Sequence, residues 1–124
     1  LSLTPNQEGL LNGPYAFSVE TLEGSNNLET IKGSIMEDPV LLNFAPERYR
    51  TDLNAKQRKK LEALAAYLNA SYDARCTIVG HADSVKSEQL NMVLGKNRAE
   101  FTKKMLLKYN VDGWRIDPRI FRNA

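Results

Sequence analysis

Ile78-Val79-Gly80-His81-Ala82-Asp83 leads into Ser84-Val85-Lys86-Ser87 and then into Glu88-Gln89-Leu90-Asn91-Met92-Val93-Leu94-Gly95-Lys96-Asn97-Arg98-Ala99-Glu100. The apolar start reads as a strand, the centre as a loop and the end as a helix with Ser87 as its cap. Asp83 therefore follows a strand and precedes a helix, where α/β sheets commonly present ligand-binding loops. Arg98 stands fifteen positions later, about three turns into the helix. At 1.5 Å per residue it lies roughly 16 Å from Ser87 along the axis, so the chain must fold back to bring the two charges together. Gly95, in mid-helix, permits a close backbone approach.

An acid and a base held a few ångströms apart form a receptor for a zwitterion. A planar guanidinium suits a carboxylate, and an aspartate accepts from an ammonium group. The residues alone leave open a simpler reading, in which Asp83 and Arg98 pair with each other and steady the fold.

Outward from this segment, Arg75 to Val79 is the strand that feeds the loop, and the helix is expected to run to about Tyr109 with Leu90, Leu94, Phe101 and Met105 as its core stripe. Asn110 suits a left-handed helix end. Trp114 to Asp117 reads as a further strand cut short by Pro118. Upstream, Val40 to Phe44 is nearly all apolar, as in a strand covered on both faces. Asn54 and Gln57 have the form of a capping box opening a helix from Ala55 to about Asn69. Lys56, Arg58, Lys59 and Lys60 crowd the first turns, where the helix dipole disfavours cations.

The order strand, helix, strand, helix, strand predicts a two-layer α/β sandwich, a mixed β-sheet with helices on one face. Residues 39–124 are expected to form that domain and residues 1–38 an N-terminal arm. Within the arm, Tyr15 to Glu20 and Leu28 to Ile35 flank a turn cluster and are read as a β-hairpin extension.

The chain of 124 residues, 42% hydrophobic, suits one domain. No apolar run approaches the ~20 residues that span a bilayer, and Leu1 to Asn12 lack the pattern of a signal peptide. Residues 1–40 hold one lysine against six acids, whereas residues 41–124 hold sixteen Lys/Arg against nine acids. The bases lie along two helices without interleaved aromatics, so nucleic acid is not expected as a partner. Cys76 is single and alternates with Ile78 in a strand, which marks it as a small buried hydrophobe. With one histidine it builds no recognised metal site. His81 beside a glycine reads as a structural hydrogen-bonder, and Ser84 near it lacks a nucleophile-elbow frame. No enzyme, metal or cofactor is expected.

The segment 78–100 resembles the signature of the OmpA C-terminal-like peptidoglycan-binding domain, most closely the version in the peptidoglycan-associated lipoprotein. Gly80, His81, Ala82 and Asp83 fill its post-strand loop, Asn91 falls eight positions after the aspartate, and Leu94, Gly95, Arg98 and Ala99 form its helical half. The resemblance extends more weakly over roughly Val40 to Arg119. It implies that Asp83 and Arg98 grip the free end of the diaminopimelate side chain in the peptidoglycan stem peptide. Asn91, Leu94, His81, Ala82 and Ser84 complete that binding set.

It also implies a noncatalytic wall anchor in the periplasm of a diderm bacterium, associated with the outer membrane, often as a lipoprotein whose anchor lies outside this sequence. The alternative is a structural docking subunit of an envelope machine, such as a secretion or motor complex, with weak or lost wall binding and other envelope proteins as partners. The acidic N-terminal extension and two departures favour keeping it. Lys86 stands where the family usually has glycine, and no clear counterpart of the family's final helix and strand is present. A sheet edge would then lack a strand, and Tyr15 to Glu20 is expected to fill or cover that edge.

Overall fold

The structure, a computed structural model, describes residues 16–44, 48–81 and 87–120. Strand β1 (Ala16–Glu23) is followed by helix α1 (Glu29–Glu37), strand β2 (Val40–Asn43), helix α2 (Ala55–Asn69), strand β3 (Arg75–Gly80), helix α3 (Glu88–Leu107), a 3-10 turn (Gly113–Arg115) and strand β4 (Ile116–Ile120). The four strands form one mixed sheet in the order β2-β1-β3-β4. β1 runs antiparallel to both neighbours and β3 is parallel to β4. Phe17, Val19 and Leu22 of β1 and Cys76 and Ile78 of β3 meet Ile35 of α1, Leu61, Leu64 and Leu68 of α2, and Ala99 and Leu106 of α3 in a single apolar core. This is the expected two-layer α/β sandwich with its helices on one face.

The local signals at the helix ends act as read. Asn54 Oδ1 accepts from the Gln57 amide at 2.8 Å while Gln57 Oε1 accepts from the Asn54 amide at 3.0 Å, which closes the capping box of α2. Ser87 Oγ accepts from the Leu90 amide at 3.2 Å and caps α3. Asn110 has φ 66° and ends the turn after α3 in the left-handed region.

The second arm of the expected hairpin is helical. Leu28, Ile31 and Ile35 recur at helical spacing; Ile35 is buried, and Leu28 and Ile31 pack against the core. Asn26 Oδ1 accepts from the Leu28 amide at 2.9 Å and turns the chain into α1, so the Asn-rich cluster starts a helix rather than a return strand. β1 is also not at an edge. It lies between β2 and β3, pairing Phe17 with Leu42 on one side and with Gly80 on the other. Val40 to Phe44 keeps its buried character, with Leu41, Leu42 and Phe44 all enclosed, although β2 itself is an edge strand.

Three smaller expectations shift. β4 continues through Pro118, opposite Ile78, because an edge strand has one side on which no N–H is required. Trp114 belongs to the 3-10 turn. On α3, Phe101 and Met105 pack against the core as expected, whereas Leu90 is 60% exposed and the most buried positions are Gly95, Arg98, Ala99, Thr102 and Leu106. Lys60, one of the early cations of α2, helps hold the fold, since its Nζ donates to the Val40 carbonyl at 2.8 Å and lies 3.1 Å from Asp38 Oδ2. Cys76 is buried and its thiol is pushed up to about 12 by burial, with Asp117 adding, so it stays protonated and inert.

Candidate functional site

The carboxyl end of β3 and the middle of α3 touch through two glycines. A Cβ at Gly80 would stand 2.3 Å from the Gly95 carbonyl oxygen and 3.1 Å from the Ala99 amide. Only a residue without a side chain allows that approach, and the contact brings the middle of α3 back beside the strand end. The fold-back that the fifteen-residue spacing requires is thus achieved by docking α3 against β3.

Arg98 is the consequence. Its side chain is fully buried, the largest such side chain among the described residues. Nη1 donates to the His81 carbonyl at 2.6 Å, and Nε donates to the Arg48 carbonyl at 2.7 Å. The guanidinium carbon lies 5.0 Å from the centroid of the Phe44 ring, which itself meets Phe101 of α3 edge-on at 6.0 Å. One cation therefore ties the segment after β2 to the residue that opens the loop after β3. Thr102 Oγ1 donates to the Arg98 carbonyl at 3.1 Å one turn further along α3.

Of the other expected site residues, Leu94 and Asn91 lie on the same face of α3 as Arg98, one and two turns nearer its start, and both are half-buried. His81 is half-buried, and its Nε2 shares a 3.0 Å hydrogen bond with Ser18 Oγ of β1. Burial holds its pKa below the ordinary value of 6.5, and the Arg98 charge adds to that lowering, so the imidazole is neutral at pH 7. Ala82, Asp83 and Ser84, together with Lys86, lie outside the described residues. The structure thus brings together His81 and Arg98, and aligns Asn91 and Leu94 with them.

Three contributors escape a reading of the sequence. Phe44 reads only as strand core, Arg48 contributes a backbone oxygen that no side-chain pattern marks, and Ser18 looks like an ordinary polar position in an alternating strand. Among the described residues, no group of three or more His, Cys, Asp or Glu could hold a metal ion. No helix among them is long and apolar enough to cross a membrane.

Comparison with solved structures shows the same fold in the OmpA-like domain of FopA1 from Francisella tularensis subsp. tularensis SCHU S4. The TM-score is 0.53 at 22% sequence identity, over 63% of this chain and 52% of that one. The likeness thus spans about half the length of the matched chain. No curated protein matches at a significant level. The OmpA family model matches residues 43–121, a segment that holds β3, the Gly80–Gly95 contact, α3 and Arg98. The chain belongs to the OmpA family, whose domains generally bind peptidoglycan in the bacterial cell envelope.

Proposed function

We propose that this domain binds peptidoglycan noncatalytically through the diaminopimelate of the stem peptide, in the manner of the peptidoglycan-associated lipoprotein, and so anchors an envelope protein to the wall. Arg98 carries the reading. Its guanidinium is bonded to the carbonyl of His81, and Asp83 follows His81 by two residues, a reach of at most ~7 Å of chain. An acid on that tether and a base at its root match the ammonium and carboxylate of a free amino-acid end. Asn91, Leu94, His81, Ala82 and Ser84 would form the surround. The working place is the periplasm of a diderm bacterium, next to the outer membrane.

Complete burial of Arg98 supports a second reading. A guanidinium that donates to two backbone carbonyls also serves as a structural clamp. In that reading the domain is a docking block of an envelope assembly and the motif is architecture. Ligand binding at Arg98 requires a movement that uncovers it, whereas a clamp requires none.

Retention on purified peptidoglycan sacculi separates the two. The unaltered chain is expected to co-sediment, and Asp83→Ala and Arg98→Lys, checked for folding by circular dichroism, are expected to remain in solution. Free diaminopimelate should release the bound protein. Absence of binding by the unaltered chain would transfer the assignment to the docking block.

A further inference from the structure

His81 is held from two sides. Its carbonyl accepts from Arg98 on α3 at 2.6 Å, and its ring shares a 3.0 Å hydrogen bond with Ser18 Oγ. Ser18 lies on β1, opposite Val79 in the antiparallel ladder, so the ring two residues beyond Val79 is its diagonal neighbour on one face. That face is the one turned away from Phe17 and Ile78, which fill the core; Val79 is buried yet stands outside the core cluster. A neutral imidazole has one N–H and one lone pair, and a serine hydroxyl can meet either, so the Ser18 bond holds the orientation of the ring whichever nitrogen carries the proton. β1 lies outside residues 43–121, the segment that carries the family's pattern.

We propose that Ser18 is a positioning residue for ligand binding: it fixes the orientation of His81, and through the His81 carbonyl it sets the place of Arg98 in the site. This rests on the peptidoglycan-binding reading above and adds to it a contribution from a strand that the family's matched segment does not include. Loss of the Ser18 bond would loosen one of the contacts that hold the ring, and a shift of the ring would carry with it the peptide whose carbonyl Arg98 uses. Ser18 touches no ligand in this scheme and acts only through His81.

The test compares the unaltered chain with Ser18→Ala and Ser18→Thr in sacculus co-sedimentation, each first checked for an unchanged circular dichroism spectrum. His81 is the single histidine, so its ring nitrogens can be followed by NMR without ambiguity. Ser18→Ala is expected to weaken retention ~3- to 10-fold, the range set by loss of one hydrogen bond, and to shift the His81 ring resonances. Ser18→Thr, which keeps the hydroxyl and suits a strand, is expected to restore both. Retention by Ser18→Ala equal to that of the unaltered chain would overturn the proposal and leave the peptidoglycan reading intact. So would equal loss in both variants, or an unchanged His81 spectrum in Ser18→Ala. Failure of the unaltered chain to bind sacculi would overturn both.

Discussion

The two ends of β3 each rest on a buried arginine, and the two arginines work differently. At the amino end, Arg115 is 8% exposed and its Nη1 donates to the carbonyls of Ser71, Tyr72 and Ala74, at 2.9 to 3.0 Å. Its guanidinium carbon also lies 4.5 Å from the centroid of the Trp114 ring, beside the exposed Tyr72. All three oxygens belong to one turn, so Arg115 staples a local loop to the start of β4. At the carboxyl end, Arg98 joins two segments that are distant in sequence, at Arg48 and His81, and it is the residue proposed above to meet the ligand. Burial and carbonyl partners alone therefore do not distinguish Arg115, a local staple, from Arg98 in its proposed binding role. What differs is the span of their partners: those of Arg115 lie within one turn, and those of Arg98 come from two segments distant in sequence.

The largest expected effect tests that distinction. Arg115→Ala leaves three carbonyls short of a donor and should lower unfolding free energy by ~3 kcal/mol or more in urea titration, while the folded fraction keeps its retention on sacculi. Arg98→Lys should cost less stability and lose retention. If Arg115→Lys abolishes binding and Arg98→Lys does not, the roles of the two ends are exchanged.

Gly80→Ala comes next. The added Cβ meets a main-chain oxygen of Gly95 that cannot swing aside, so α3 must shift off β3 at a cost of ~2–3 kcal/mol, measurable by chemical denaturation. A loss below ~0.5 kcal/mol would show that the strand end and helix are not rigidly joined.

The neutral state of His81 predicts a pH effect confined to the same end of β3. Its folded pKa lies below the unfolded value of about 6.5, so its contribution to stability is present above 6.5 and is lost as pH falls below it. Thermal midpoints should decline between pH 6.5 and 5 in the unaltered chain, and His81→Gln should flatten that part of the curve.

The smallest effect belongs to α1. Nothing lies within 4 Å of a Cβ at Gly33, so Gly33→Ala should raise stability by ~0.5–1 kcal/mol, read as a higher thermal midpoint with retention unchanged.

How far these regions can be read from sequence follows the range of the interactions that define them. The caps at Asn54 and Ser87 and the left-handed turn at Asn110 are set by residues within three or four positions, and they stand where the sequence puts them. The mid-helix place of Gly95 marks it for a close approach, and its partner is Gly80. Leu28 to Ile35 misleads because its short apolar run fits both periods and Gly33 weakens the helical pattern, whereas burial of Ile35 against α2 decides for the helix. The insertion of β1 between β2 and β3, the Arg115 staple and the Ser18–His81 bond join residues more than 20 apart, and no local pattern encodes them. At the candidate site, Arg98 and its link to His81 are geometric facts; Asp83 rests on the family pattern.

The interior place of β1 has a consequence for how the chain folds. The first strand in sequence is the one that both β2 and β3 require, since those two share no ladder with each other. β2 follows β1 closely, but Gly80, the partner of Phe17, is 63 residues away from it. A nascent chain holding only β1, α1 and β2 has a two-stranded sheet, marginal in water, and must wait for β3 to arrive. Closure across so long a separation carries a loop-entropy cost before the pairing rewards it, which predicts slower folding than in a chain of local contacts. A fragment starting at Asn43 would keep only the parallel β3–β4 pair and would enter that process without the strand on which the other two pairings depend.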